Sequence, residues 1–340
     1  MSAESNRPTE SAMSPRRAQG PARPIGVPRR AIILPSINWT FVAALVLAHV
    51  GAAYAVHRLA VGRVAAPTVA LAAVWYLAAG FSITAGYHRL FAHRAYCAVR
   101  PLRIAFLVFG ASAWQNSVLT WVADHRAHHR HTDRFGDPHA ITDGFWHAHA
   151  LWLLRPGASS SEASRMVDLT ADPDVRLQDR IYVPLAVLTG LVAPTLIAWT
   201  WHDPINGLLV AGFLRTTLGL QATFCVNSVA HRFGSQPGAT SGKRRASARN
   251  NRFVSLVALG EGYHFFHHAY PRDYRAGFRR RDLDPTKWLI WCLSTLNLAS
   301  DLGRRGPVAP LSSEPCGGQL SRSRGGDVGR PSKSVHWWRS

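Results

Sequence analysis

Apolar residues along this chain are concentrated in long blocks that contain almost no charge. Residues 39–56 carry no charged side chain, and residues 64–87 form a second uncharged block. At a rise of 1.5 Å per residue the second block would be about 36 Å long as a helix, enough for a hydrocarbon core of about 30 Å. Residues 181–201 form a third block, and residues 205–229 form a fourth that is interrupted only by Arg215. The pattern predicts four transmembrane helices. Four buried helices of a soluble protein are the alternative.

The connections between the blocks indicate which side of the membrane each end faces. A short turn joins the first block to the second, and the turn from the third block to the fourth contains no Lys or Arg. Arginines are frequent before residue 39, between residues 88 and 180, and after residue 231. Because positively charged loops stay in the cytoplasm, we predict an integral, multi-pass membrane protein. Both termini and the large central loop should be cytoplasmic.

Composition adds a domain organisation to this picture. The chain has 340 residues and a net charge of +20, which we attribute to topology and to attraction for anionic lipid or substrate rather than to nucleic acid. Residues 1–35 and 303–340 are rich in Arg, Pro and Ser, so we predict a disordered basic arm and tail around a membrane domain at 36–302. Four Cys without a CxxC pair exclude a disulfide scaffold. The dominance of Ala, Arg and Gly favours a bacterial inner membrane.

Histidine carries the strongest chemical signal. Nine of the 17 histidines fall in four groups on the predicted cytoplasmic side, after the second and fourth blocks and in the polar segments that follow. They are His88 and His93 in HRLFAH, His125, His128 and His129 in HRAHH, His231 in NSVAHRFG, and His264, His267 and His268 in HFFHH. Residues three and four apart share a helix face, so each HxxHH presents three imidazoles together. The two histidines of HxxxxH would lie about 140° apart on an α-helix.

Nine imidazoles exceed what one metal ion binds and suit two ions. Imidazole is a ligand for Fe, Zn, Cu and Ni. The chain has no CxxC pair and no HExxH motif, and its blocks supply no Glu for a carboxylate-bridged bundle. A histidine-rich two-metal site at a membrane surface suits iron that activates dioxygen. We assign no role to His49, His57 and His202, and we expect His131, His139, His147 and His149 to support the site or the fold.

These motifs together resemble the membrane-bound fatty acid desaturases of the stearoyl-type, acyl-CoA Δ9 class. The matching stretches are GYHRLFAHRAY, WVADHRAHHRHTD followed by GDPH, QATFCVNSVAHRFGSQP, and GEGYHFFHHAYPRDYRAGF with DPTKW, within residues 38–301. The resemblance implies an all-α integral membrane fold in which four transmembrane helices carry a cytosolic helical cap with a histidine-rich di-iron site. It implies that the nine histidines bind two irons and that Asn227 reaches one iron through a water. It also implies that Gln115, Asn116 and Asp124 contact the substrate.

The implied reaction uses O₂ to remove two hydrogens from adjacent methylenes of a saturated acyl chain, which leaves a cis double bond, expected at Δ9. A bent apolar tunnel would select the methylene by its distance along the chain. The boxes follow the second and fourth blocks, so we expect the tunnel between those helices. Ala78, Ala79 and Gly80 are the small residues expected to set its depth.

The sequence departs from the animal members of this class at Ala123, Phe224 and Phe265. A fatty acyl thioester is the expected substrate, but these departures leave the carrier open: CoA is favoured, and acyl carrier protein or a lipid is the alternative. Basic side chains that could meet phosphates or the membrane surface are those of Arg272, Arg275, Arg279, Arg280, Arg281 and Lys287. The chain has neither a His-Pro-Gly-Gly haem motif nor a GxGxxG. Electrons are expected from a separate donor, such as a ferredoxin, a cytochrome b-type protein or a reductase.

Two other functions stay open at this level. A hydroxylase or ketolase can be built on similar histidine boxes, and its products would carry oxygen. A non-enzymatic metal transporter or sensor would be expected to carry ionisable residues within its spans. Only Arg215 and His49 lie there, which disfavours that class.

Overall fold

Four long helices dominate the computed structural model, which describes residues 37–154, 166–237 and 246–304. Those long and apolar enough to cross a membrane are Trp39–Ala60, Ala66–Ala92, Tyr182–Trp199 and Pro204–Arg232. We call them spans one to four. The four predicted transmembrane helices are therefore confirmed in length and composition. The predicted arm at 1–35 and the predicted tail beyond residue 304 lie outside the described residues.

The described part of the chain is almost entirely helical. The α-helices are α1 (Trp39–Ala60), α2 (Ala66–Phe81), α3 (Arg100–Ala111), α4 (Val118–His131), α5 (Phe145–His149), α6 (Val167–Thr170), α7 (Pro173–Arg180), α8 (Tyr182–Val187), α9 (Ala193–Trp199), α10 (Pro204–Asn206), α11 (Arg215–Asn227), α12 (Val229–Arg232), α13 (Arg252–Val257), α14 (His264–Ala269) and α15 (Pro285–Thr295). Short 3₁₀ helices occupy Ile141–Asp143 and Leu151–Leu154. Strands β1 (Cys97–Ala98) and β2 (Ala299–Ser300) pair antiparallel, with Cys97 opposite Ser300.

Three of the spans contain a π-helical segment. These segments are Ser82–Ala92 in span two, Leu188–Val192 in span three and Gly207–Leu214 in span four. A π-helix joins each N–H to the carbonyl five residues earlier, so residues five apart come close together on one face. In span two the amide of His93 donates to the carbonyl of His88 over 3.1 Å. At the end of span two, residues five apart therefore share a face of the helix, whereas in an α-helix residues three and four apart do so.

Polar contacts join the two turns at the ends of the spans away from the histidines. Asp203, in the turn between spans three and four, accepts from the amide of Ala65 and from Oγ1 of Thr68 at the start of span two. The buried amide of Asn206 donates to the carbonyl of Arg63 and accepts from the side chain of Arg58. These bonds satisfy backbone groups that the helix ends leave unpaired. Both turns thus lie on one side, as the predicted pairing of the spans requires.

The cap packs around the π-helical end of span two. Helices α3, α4 and α15 all contact Ser82–Ala92, and α7 packs on α4. Their shared core includes the fully buried side chains Tyr87, Val122, Val175 and Ile290. Helix α4 begins where Ser117 accepts from the amide of Thr120, and α15 begins where Asp284 accepts from the amide of Lys287. The packing places α4 directly beside the histidines of span two.

Candidate metal centre

All nine histidines of the sequence motifs converge in two groups in the cap. The five-histidine group consists of His88, His93, His125, His129 and His267, and the four-histidine group consists of His128, His231, His264 and His268. Within each group one ring nitrogen of every residue lies within 4.8 Å of the others. Two separate sets of converging imidazoles fit the prediction of a two-metal site.

Each HxxHH motif divides between the two groups. In α4, His125 and His129 belong to the five-histidine group and His128 to the four-histidine group. In α14 the roles are exchanged, because His264 and His268 face the four-histidine group and His267 faces the five-histidine group. Our expectation that each motif forms one cluster was wrong. Residues four apart stay on one face, whereas the third position is turned far enough to face the neighbouring group.

The π-helical end of span two explains how His88 and His93 join one group. Their ring centroids are 4.9 Å apart. The separation of about 140° expected for an α-helix does not apply, because this segment is π-helical and brings residues five apart together. Nε2 of His88 lies 3.0 Å from Nε2 of His267, and Nε2 of His93 lies 2.7 Å from Nε2 of His125. Span two thus supplies two imidazoles to the same group.

The chemistry of these nitrogens fits metal ions. The donor set is made of imidazole alone, which suits iron, zinc, copper or nickel. Burial lowers the pKa of His125 and His268 well below the ordinary value and lowers that of His129 to about 3. At neutral pH these rings are neutral and each has a free lone pair. The buried Nε2 of His231 has no hydrogen-bond partner among the described residues, as expected for an atom aimed at an ion.

A second layer of side chains holds the Nδ1 atoms of three of these histidines. Nδ1 of His88 lies 2.8 Å from Oε2 of Glu261, and Nδ1 of His128 lies 2.9 Å from Oδ1 of Asp137. Nδ1 of His231 lies 2.6 Å from Oγ of Ser247. Such contacts orient metal-binding imidazoles and fix their tautomer. Glu261 and Asp137 lie close to the histidine motifs in the sequence and could be identified as candidates there. Ser247 belongs to no motif that would identify it.

Glu261 belongs to a buried ionic network on the side of the five-histidine group. Arg89 donates to Oε1 of Glu261 over 2.8 Å and to Oδ1 of Asp284 over 3.0 Å. Burial alone would raise the pKa of Glu261, but the charge of Arg89 outweighs it and lowers the pKa to about 2. The cation thus keeps Glu261 ionised beside His88. Burial raises the pKa of Asp137, beside which the described residues place no such cation, to about 7.

A cavity between spans two and four ends against both histidine groups. About 820 Å³ of space there is not filled by protein atoms, a figure that includes its opening to solvent. Its apolar walls come from both spans and from the segment before α14: Ala79, Gly80, Ile83, Ala113, Gly219, Ala222, Val226, Val257, Ala258 and Leu259. His88, His125, His128 and His264 form its polar end. Of the three small residues expected to set the depth, Ala79 and Gly80 line this cavity and Ala78 is not among its lining residues.

The predicted substrate contacts surround a second, smaller cavity beside the first. Gln115, Asn116 and Asp124 line it, together with Phe224. Asn227 lines both cavities, as Gln115 does. The structure therefore brings these residues to one place next to the histidines.

Hydrogen bonds fix the side chain of Gln115 where the two cavities meet. Its amide nitrogen donates to Oγ1 of Thr223 over 2.9 Å, and its amide oxygen accepts from the indole nitrogen of Trp121 over 3.2 Å. Both partners also line the two cavities. A polar crosslink thus joins α4 to span four between the cavities.

Several other predicted positions differ in their surroundings. The ammonium of Lys287 is buried and donates to the carbonyls of Gly277, Arg279 and Asp282, so the expectation that it meets a phosphate was wrong. Arg275 pairs with the carboxylate of Asp273. His139 packs on His128 with ring centroids 4.2 Å apart. It therefore sits beside the site, as expected.

His49, to which we assigned no role, has a polar partner within the stem. Its Nε2 lies 3.2 Å from the amide nitrogen of Gln221. The amide oxygen of Gln221 in turn lies 3.0 Å from Nε2 of His149, whose Nδ1 lies 2.8 Å from Oγ of Ser228. Span one is thereby joined to span four and α5 by hydrogen bonds, a contact that could not be predicted from the sequence.

Comparison with known proteins agrees with this site. The sequence profile of the fatty acid desaturase family matches residues 64–285. The chain is 43% identical over 230 residues to acyl-CoA desaturase 1 of Saccharomyces cerevisiae, and the aligned residues cover 67% of this chain and 44% of the yeast protein. It is 42% identical over 237 residues to a probable acyl-CoA desaturase of Schizosaccharomyces pombe, covering 69% of this chain and 49% of that protein.

A human relative is covered over most of its length. The chain is 37% identical over 291 residues to stearoyl-CoA desaturase 5 of Homo sapiens, covering 84% of this chain and 85% of the human protein. By contrast, it spans about half the length of the two yeast relatives. All three relatives come from eukaryotes, which gives no support to the expectation of a bacterial inner membrane. With the family profile matching most of the chain and its histidines converging in two groups, the chain belongs to the fatty acid desaturase family.

Proposed function

We propose that this protein is an O₂-dependent fatty acyl desaturase that introduces a cis double bond, at Δ9, into a saturated acyl-CoA. The observation that carries this proposal is the cavity between spans two and four, because an apolar channel of this kind ends against both histidine groups. An acyl chain in it would have its methylenes beside the metal ligands. The names of the relatives, acyl-CoA and stearoyl-CoA desaturase, support the same substrate class.

We propose two irons as the metals. The five-histidine group would hold one, and the four-histidine group with Asn227, acting through a water, would hold the other. Bound iron supplies the oxidising chemistry that, together with O₂, removes two hydrogens from adjacent methylenes. The family membership and the all-imidazole donor set support iron at this site.

The chain's own contribution is to position one pair of methylenes and to exclude water from it. Many of the side chains that line the cavity are apolar, and the polar ones are hydroxyl groups, the amides of Gln115 and Asn227, Arg215, and the groups at and next to the polar end. The crosslink between Gln115 and Thr223 stands where an acyl chain would pass from the first cavity to the second. An acyl chain that bends around this crosslink has its position fixed relative to the histidines, so the methylene is chosen by distance and not by reactivity.

The thioester end would lie in the second cavity, next to Asn116 and Asp124. The amide of Asn116 donates to the hydroxyl of Tyr182, which ties this loop to the start of span three. We propose CoA as the carrier because the named relatives act on CoA esters. Electrons would come from a separate donor, namely a ferredoxin, a cytochrome b-type protein or a reductase. Both termini and the cap would be cytoplasmic, in accord with the distribution of arginine.

Expression of the whole chain in a host without fatty acid desaturases tests this proposal. We expect new monounsaturated fatty acids with a cis bond at one position, and none from a His267→Ala variant that inserts into the membrane equally well. Arg100→Ala is the matched control, because this arginine is exposed and forms its ion pair with Asp174 and not with a histidine. Hydroxylated products would establish the hydroxylase alternative. Metal binding without any change in lipids, when an electron donor is expressed in the same host, would establish a non-enzymatic role.

A further inference from the structure

His231 is the member of the four-histidine group with the least support from its own helix. It lies in α12, which is only four residues long and follows a break at Ser228, where φ is −105° and ψ is −61°. His264 and His268, by contrast, share one helix, and His128 is held by Asp137. A ring on a single helical turn needs an external contact to fix its direction.

That contact is a relay of two side chains. Oγ of Ser247 lies 2.6 Å from Nδ1 of His231 and also donates to Oδ1 of Asp133 over 2.7 Å. The amide of Ser247 donates to Oδ2 of the same carboxylate over 2.6 Å. Because a carboxylate only accepts, the serine hydrogen points to Asp133, and the serine oxygen accepts from Nδ1–H of His231. The proton then resides on Nδ1, and Nε2 has a free lone pair.

We infer that Ser247 and Asp133 are positioning residues that hold His231 in the tautomer and direction required to bind the metal of the four-histidine group. The buried Nε2 of His231, which has no hydrogen-bond partner among the described residues, is the atom that this arrangement leaves available. The inference rests on the proposed metal binding. It goes beyond that proposal, because neither residue is among the predicted metal ligands.

The backbone around Ser247 is itself fastened to the segment that carries His231. The side-chain amide nitrogen of Gln236, Nε2, donates to the carbonyls of Ala246 and Ala248, at 3.0 and 2.8 Å. The amide of Arg249 donates to the carbonyl of Ala230 over 2.7 Å. The serine therefore lies in a segment held by hydrogen bonds on both sides, next to the histidine that it orients.

The relay also continues to a second ligand of the same group. The amide of Asp133 donates to Oδ2 of Asp137, whose Oδ1 holds Nδ1 of His128. Asp133 adopts a left-handed conformation with φ of 61°, which Asp tolerates better than most residues. One continuous chain of contacts thus connects His128 with His231. The five-histidine group depends instead on Glu261, so the two groups have separate supports.

Separate supports give a selective test. The full chain would be purified in detergent, stripped of metal, and titrated anaerobically with iron(II), with bound iron counted by elemental analysis. For the wild type we expect two irons per chain. For Ser247→Ala we expect one site to be unchanged and the other weakened by about 10- to 100-fold, as is typical when an outer contact of a metal ligand is lost. Asp133→Asn should weaken the same site.

The threonine variant separates positioning from packing. Ser247→Thr keeps the hydroxyl and adds volume at a half-buried position. If Ser247 positions His231, this variant should bind two irons. If Ser247 acts only through packing, it should lose at least as much iron affinity as Ser247→Ala. Ser82→Ala is the control, since this buried serine donates only to the carbonyl of Ala78. Two tight irons in Ser247→Ala, or weakening of both sites together, would overturn the inference. A wild type that binds no iron would refute the proposed function itself.

Discussion

Gly219 offers a direct way to shorten the cavity. It lies on span four and lines the cavity, and a Cβ added there would meet no heavy atom within 4 Å. It stands eight residues before Asn227, which is about 12 Å along a helix axis. A side chain that starts at this position would therefore occupy space far from Asn227, and its Cβ would not clash with the protein.

The size of the effect follows from the number of methylenes that are displaced. Burial of one methylene contributes about 0.8 kcal/mol. The one carbon of Gly219→Ala should therefore cost the longest accepted substrate about fourfold in kcat/KM relative to shorter ones. The four carbons of Gly219→Leu should cost about 3 kcal/mol, or roughly 200-fold. The position of the double bond should not change, because it is set at the other end, by the distance from the histidines to the thioester.

Competition between saturated acyl-CoAs of graded length, with products read by mass spectrometry, measures these ratios. Leu218→Phe is the matched control, because Leu218 is the preceding residue and is 53% exposed on the outside of the stem. An active Gly219→Leu enzyme with the length preference of the wild type would show that the acyl chain does not reach this part of the cavity. An equal shift in Leu218→Phe would show that the effect does not arise from the cavity.

Three further predictions concern the metal ligands and the buried charges. His128→Ala should lose iron and activity yet still insert into the membrane, because no apolar span area is removed; elemental analysis of the membrane fraction checks this. The metal-free protein should lose stability as pH falls below about 6.5, because unfolding lets the buried histidines take up protons. For His129, with a native pKa of about 3, the loss is about 2 kcal/mol at pH 5. Asp137, with its raised pKa, has the opposite effect and stabilises the fold as pH falls, but it is one group against several histidines. A thermal midpoint that rises on acidification would therefore contradict the reasoning. Arg89→Ala should destabilise the fold by about 3–5 kcal/mol, because it leaves two buried carboxylates without their cation. Thermal unfolding in detergent measures this, and Arg100→Ala, in an exposed ion pair, should change it little.

The spans and the ligand set could be predicted because each depends on local chemistry. An uncharged block longer than the hydrocarbon core has few alternatives to a membrane helix. Nine histidines in short motifs on one membrane side identify a metal site before any contact is known. The roles of Glu261 and Asp137 were also within reach, since acidic residues close to such motifs commonly hold the imidazoles.

What could not be predicted depends on long-range contacts and on departures from ideal helices. The division of each HxxHH between two groups follows from where α4 and α14 pack, which no single motif specifies. The π-helix that brings His88 and His93 together could not be predicted, because a pattern read with the α-helical period of 3.6 residues assumes an α-helix. Ser247 lies sixteen residues from His231 in an unremarkable segment. Lys287 was misjudged because a loop of carbonyls, and not a phosphate, surrounds its ammonium.

The π-helical end of span two makes this helix sensitive to its exact length. Ala79 and Gly80 line the cavity from the α-helical part, whereas His88 lies in the π-helical part and His93 directly follows it. Each residue of a helix advances the angle by a large part of a turn, about 100° in an α-helix and less in a π-helix, so deletion of one residue within Ser82–Ala92 would rotate the cavity wall relative to the imidazoles. A substitution in this segment changes one contact, but a deletion changes the angular relation between the wall that holds an acyl chain and the groups that face it. We therefore expect this stretch to tolerate changes of side chain far better than changes of length.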